Sequence, residues 1–144
     1  FGPLAHALER GLDAPQAVEA PAPSVAFSIA SRYGTWQGLA ALRESGGEGV
    51  RITDEGIFEA QRALGREEGL FVEPSSAAAL TAVMQLAARR AIEPDATVVI
   101  VLTSSGLKDP GASRAWLPAV PAANGDFDRL LASLRDAYGL ALDR

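Results

Sequence analysis

The chain has 144 residues, 48% of them hydrophobic, with no cysteine, one histidine and a formal net charge of −5. Length and composition predict one globular domain. The acidic balance argues against a nucleic-acid partner, whose phosphates need clustered Lys and Arg, and the lack of cysteine excludes disulfides, thiolate nucleophiles and Cys-ligated zinc. One histidine cannot build a His-rich metal centre either, so no metal site is expected. No apolar run nears the ~20 residues that span a bilayer and no leader pattern opens the chain, so a cytoplasmic protein with no membrane contact is expected. The chain starts at Phe1 and has its only methionine at Met84, which predicts that the start of a longer polypeptide is missing.

Leu4, Leu8 and Leu12 stand four residues apart in a short amphipathic helix that Gly11 closes; His6 within it has no titratable partner at helical spacing except Arg10 and is given no role. Three prolines in Asp13 to Ser24 predict an irregular connection. A short apolar stretch, Val25 to Ile29, leads to a turn ending at Gly34. Thr35 then caps a helix that stops at Ser45, Gly46 and Gly47. The glycine pair reads as a terminator, because GGEG lacks the longer pattern and the lysine of a phosphate loop. Gly49 to Ile52 reads as a short strand. Thr53 opens a helix with Asp54 and Glu55 in its first turn and a stripe of Ile57, Phe58, Ala60, Gln61 and Leu64, ending near Gly69.

Leu70 to Val72 reads as another strand. Glu73-Pro74 turns from it into a helix running to about Ala91, with Pro74 in the first turn, where its missing N–H costs nothing. That helix is apolar nearly all round until Arg89, which predicts burial. Val98 to Leu102 are five consecutive apolar residues, the pattern of a strand covered on both faces of a parallel sheet, followed by the small residues Thr103, Ser104, Ser105 and Gly106. Ligands of open α/β sheets bind beyond the carboxyl ends of such strands. Pro110 is expected to prevent an immediate helix, and Ala115 to Asn124 are broken by proline. Asp126 starts a last helix whose stripe of Phe127, Leu130, Leu131, Leu134 and Tyr138 is expected to cover the domain surface.

The polar loop admits several chemistries. TSSG is not the G-x-S-x-G elbow of a serine hydrolase, because Leu102 and Thr103 stand where the first glycine is needed. GLKDP does not continue as a phosphate-binding loop. Lys108, the only lysine, is either a Schiff-base former or a surface-turn lysine beside Asp109, and spacing does not decide between them.

The pairing of EEGLFVEPSSAAAL (Glu67 to Leu80) with VVIVLTSSGLKDP (Val98 to Pro110) resembles the C-terminal portion of the threonine synthase family. More broadly it resembles the pyridoxal-phosphate enzymes of the tryptophan-synthase-β-like fold, fold type II. SIASRYG, TWQGLAALRESGG and ITDEGIFEAQRALGREEG follow the order of segments in that family. The resemblance implies an α/β fold with a mostly parallel sheet flanked by helices. Residues 1–144 would be an incomplete, C-terminal part of the catalytic domain and inactive by themselves. The cofactor implied is pyridoxal 5'-phosphate, with Thr103 as the hydroxyl facing its pyridine nitrogen and Glu73 on the cofactor side of the buried helix. Glu73 also has a plain reading as an acid at a helix start.

By the same resemblance Lys108 belongs to the family's GLKD turn. The Schiff-base lysine and the glycine-rich phosphate loop lie upstream of Phe1, so no catalytic residue is expected here. The implied activity is that of a lyase, O-phosphohomoserine plus water giving threonine and phosphate, in a homodimer acting on a small amino-acid substrate. The family commonly shows T-G-[H/N]-G-L-K-D, and Ser104-Ser105 depart from it. That departure leaves serine/threonine dehydratase and cysteate synthase open, and a non-catalytic α/β binding module is the alternative from another class.

Overall fold

Local capping signals place most of the helices. In the computed structural model, which describes residues 2–20, 22–114 and 122–140, α1 spans Pro3–Glu9, α2 Trp36–Ser45, α3 Asp54–Glu67, α4 Pro74–Ala88, α5 Pro110–Ser113 and α6 Phe127–Tyr138. Thr35 accepts from the Gly38 N–H, Thr53 from Gly56 and Asp126 from Arg129, each satisfying an N–H that the first turn leaves without an intrahelical partner. Gly46 and Gly139 end α2 and α6 in the left-handed conformation, φ 67° and 66°, which a Cβ would strain. The connection 13–24 carries no helix among its described residues, and Phe27–Ile29 close as a single 3-10 turn.

The chain divides into two units, Phe1–Ser113 and Arg114–Arg144. In the first, α3 packs along α4 over a core of Ala26, Ile57, Ala60, Leu64, Val72, Ala77 and Ala78, with Val25, Ile52, Leu80 and Leu102 against it. The helices approach closely where α3 has Gly56. A Cβ there would lie 3.0 Å from Thr81 Cγ2, and Thr81 Oγ1 donates to the Gly56 carbonyl at 3.2 Å. Asp54 reaches back to hold the approach to the core, accepting from Ser24 Oγ at 3.0 Å and from the Val25 N–H at 3.2 Å.

Strand expectations fare differently. Among the described residues the only β pairing is one antiparallel bridge, Val72 to Ser105, and neither Gly49 to Ile52 nor Val98 to Leu102 forms a ladder. The apolar run expected to be covered on both faces is largely open, with Val99 82% and Val101 69% exposed. A strand's burial comes from neighbours on both sides and both faces, and those neighbours are not among the described residues. Helix α4 divides likewise: its first turns are buried, whereas Met84 and the residues after it are mostly exposed, and it ends at Ala88, short of the expected Ala91. Pro110 does not prevent a helix but begins one; as the first residue of α5 it has no N–H to leave unpaired, and Asp109 Oδ1 accepts from the Ala112 N–H at 3.2 Å. The proline-broken segment lies mostly outside the described residues. In the second unit, α6 forms as expected, but Phe127, Leu130 and Tyr138 on its apolar stripe are exposed.

One ion pair ties α1 to the segment before α3. Arg51 holds Glu9 in a two-point contact, Nε to Oε1 at 3.0 Å and Nη2 to Oε2 at 2.9 Å. This hydrogen bonding, more than the accompanying Coulomb attraction, holds the Glu9 carboxyl below its ordinary value. A lowered carboxylate pKa adds stability at neutral pH that disappears as pH falls through the folded-state value. Glu9→Gln is therefore expected to be slightly less stable than the parent at pH 7, with the difference gone at acid pH; both side chains are half exposed, so the effect is small. Urea unfolding at both pH values checks it, and a difference that persists in acid would reject it.

Candidate functional site

The site is built where the end of the apolar run meets the start of α4. The turn out of α3 leads through Phe71 and Val72 to Glu73, whose backbone N–H donates to the Ser104 carbonyl at 3.1 Å, while the Gly106 N–H donates to the Phe71 carbonyl at 2.9 Å. With the Val72 to Ser105 bridge, these bonds fix the loop 103–106 across residues 71–73. Gly106 is needed for that approach: a Cβ there would lie 2.6 Å from Phe71 Cε1 and Cζ. Gly106–Lys108 then form a 3-10 turn capped by the Ser105 hydroxyl, which accepts from the Leu107 N–H at 3.2 Å.

Two side-chain groups result. In the first, Ser76 of α4 and Thr103 share a hydroxyl–hydroxyl hydrogen bond of 3.0 Å; Ser76 Oγ also accepts from the Ser104 N–H at 2.9 Å and lies 3.3 Å from the Ser104 carbonyl. Ser76 is buried, and Thr103 is exposed. In the second, Glu73 is 2% exposed, and Lys108 Nζ lies 3.1 Å from its Oε2 and 3.5 Å from its Oε1. Oε2 makes this ion-pair contact without a hydrogen bond of acceptable geometry. Lys108 also donates to Ser28 Oγ at 3.3 Å, so one ammonium links the 3-10 turn at Phe27–Ile29, the start of α4 and the GLK turn.

The two residues singled out from sequence, Thr103 and Glu73, thus lie at the same corner, on the loop and at the helix start that it crosses. Lys108 is in a turn, as the resemblance implies, but its ammonium faces a buried carboxylate and not solvent alone. Sequence reading missed the partners. Ser76 was given no role, and its residue type in the first turn of α4, beside Ser75, does not name a partner. Gln61 was placed on the apolar stripe of α3; it is fully buried, donating to the Val72 carbonyl at 2.5 Å and to Ser113 Oγ at 3.0 Å, and so supports the backbone just before Glu73. A separate cleft of about 350 Å³ is lined by Ser24, Ala26, Ile29, Ile52 and Asp54, and contains neither Thr103 nor Glu73.

The profile of the pyridoxal-phosphate dependent enzyme family matches residues 3–104, most of the chain. The chain is 39% identical over 90 residues to a threonine synthase of Methanocaldococcus jannaschii, covering 62% of this chain and 22% of that protein. It is 38% identical over 109 residues to a threonine synthase of Methanosarcina acetivorans, covering 75% and 27% respectively. Among solved structures, a threonine deaminase from T.th. aligns with a TM-score of 0.50 at 29% identity, over 60% of this chain and 31% of that one. The chain spans about a quarter of the length of the curated relatives it matches. It belongs to the pyridoxal-phosphate dependent enzyme family.

Proposed function

We propose that the chain is the C-terminal part of the catalytic domain of a threonine synthase, a lyase that takes O-phosphohomoserine and water to threonine and phosphate. The observation that carries this reading is the corner itself: a Thr103 hydroxyl at the end of an apolar run, bonded to Ser76 in the first turn of the helix that the buried Glu73 precedes, in a chain whose relatives are threonine synthases. The donor set suits the cofactor. A neutral hydroxyl can donate to an unprotonated pyridine nitrogen, while Glu73 Oε2, buried at the same corner, is in ion-pair contact with Lys108 Nζ at 3.1 Å. Pyridoxal phosphate, when bound, supplies an electron sink for carbanion chemistry. Thr103 would hold the ring nitrogen as a hydrogen-bond donor, and a hydroxyl there in place of a carboxylate leaves that nitrogen less protonated, which favours elimination and replacement over transamination. Glu73 would lie on the cofactor side of α4.

On this reading Val98 to Leu102 are a strand of a mostly parallel sheet flanked by helices, and their open faces are covered by the remainder of the domain. The lysine that carries the cofactor and the phosphate-binding loop belong to that remainder. The enzyme acts as a homodimer in the cytoplasm, and no helix among the described residues is long and apolar enough to cross a membrane.

A dehydratase is the second reading. It is favoured by the alignment with the threonine deaminase structure and by Ser104-Ser105, which replace the glycine and the His or Asn of the commoner threonine synthase motif. The enzyme of full length, given O-phosphohomoserine, should release phosphate and threonine in equal amounts. Release of ammonia from threonine, with no phosphate from O-phosphohomoserine, would instead assign the dehydratase. Thr103→Val should lower cofactor affinity about tenfold, the scale of one lost hydrogen bond in a desolvated site; an unchanged affinity and cofactor spectrum would remove Thr103 from the site.

A further inference from the structure

The hydrogen bonds around Ser76 restrict where its proton goes. One lone pair of Ser76 Oγ is taken by the Ser104 N–H at 2.9 Å. Its single proton then has two acceptors within reach, Thr103 Oγ1 at 3.0 Å and the Ser104 carbonyl at 3.3 Å. That carbonyl already accepts from the Glu73 N–H at 3.1 Å and has a second lone pair for Ser76, at the longer distance. The contact to Thr103 is the shorter of the two, and in it either hydroxyl can be the donor. A hydroxyl that accepts from one neighbour is left to donate its own proton elsewhere. Ser76 is 1% exposed and sits in the first turn of α4, so bulk water does not compete for its bonds and its backbone is held by the helix.

We infer that Ser76 donates to Thr103 in this bond and is thereby a positioning residue that orients the Thr103 hydroxyl proton outward, making Thr103 a donor to an unprotonated aromatic ring nitrogen. The inference rests on the assignment of Thr103 to the pyridine nitrogen in the proposed function and adds the cause of its directionality. Without Ser76, the exposed Thr103 hydroxyl loses this partner and its proton can turn to water, and the ring nitrogen loses a fixed donor.

The test uses the full-length enzyme loaded with cofactor labelled with nitrogen-15 in the ring, whose resonance reports hydrogen bonding and protonation at that atom. Thr103→Val should move the resonance. Ser76→Ala should move it in the same direction by a smaller amount, and Ser76→Thr, which restores the hydroxyl, should return it toward the parent. Ser76→Cys keeps a similar shape with a weak donor and reads the same way if alanine disturbs folding. A merely structural serine would alter stability and leave the resonance in place. Movement with Thr103→Val but not with Ser76→Ala or Ser76→Cys would overturn the role of Ser76 and leave Thr103 standing. No movement with Thr103→Val would overturn the assignment beneath it. Loss of cofactor from both Ser76 variants while Thr103→Val stays loaded would also reject the inference, because a residue acting through Thr103 cannot matter more than Thr103.

Discussion

Lys108→Met is expected to destabilise the chain by about 2 kcal/mol, well beyond the effect of Glu73→Gln at the other end of the same ion pair. The asymmetry follows from burial. The Glu73 side chain is 3% exposed and that of Lys108 is 50% exposed. Removing the lysine leaves a buried carboxyl group with no cation and, at Oε2, no hydrogen bond among the described residues. Breaking a buried pair in this way costs ~3–5 kcal/mol when both ions are buried. Here water reaches the lysine end, and the screening that weakens exposed pairs lowers the figure. Glu73→Gln instead leaves a half-exposed ammonium that can be hydrated, at a cost below about 1 kcal/mol. In the double variant Lys108→Met with Glu73→Gln no charge is left at the site, so most of the loss should be recovered. Urea unfolding of the four proteins measures the cycle. Equal losses from the two single variants, or simple addition in the double, would show that the carboxylate is stabilised by something other than Lys108.

This pair also shows where sequence reading stops. Thr35, Thr53, Asp126 and Gly46 were legible because a cap acts within three or four residues of itself, and the side-chain type that satisfies a helix end is narrow. The stripe of α3 was legible for the same local reason, although Gln61 was placed on it as one of its members and turned out to anchor the Val72 carbonyl. Glu73 and Lys108 are 35 residues apart and Ser76 and Thr103 are 27 apart, and neither pairing has a spacing rule. Only the resemblance to a family brought Glu73 and Thr103 together in advance, and it carried no information on Ser76 or Ser28. The strands were the weakest part of the reading. Val98 to Leu102 have strand composition, but composition describes the burial a segment seeks, and the described residues do not supply partners for it.

Gly106→Ala should be the most damaging small substitution at the site, with a loss of about 2–3 kcal/mol, near the upper end for adding a methyl group to a packed position. The reason is close approach and not backbone conformation, since Gly106 is not among the glycines with positive φ. The added Cβ would stand 2.6 Å from two carbons of the Phe71 ring and 2.7 Å from a third, so either the ring or the loop must move. The ring is half-buried, and the loop is tied to the Phe71 backbone by the Gly106 N–H to Phe71 carbonyl bond. Whichever yields, the bridge from Val72 to Ser105 is disturbed, and with it the placing of Thr103 on one side and Lys108 on the other. The expected result is therefore a joint loss: a lower urea midpoint and, in the full-length enzyme, weaker cofactor binding than the parent. Trimming the obstructing ring separates this mechanism from a general intolerance of the loop. Phe71→Leu alone should destabilise by removing buried ring surface, but in the Gly106→Ala background it should recover part of both stability and cofactor affinity, because the clash it relieves exceeds the contacts it removes. If the two substitutions simply add, the ring is not what alanine meets, and the close packing of residue 106 on Phe71 is not what holds the loop against α4.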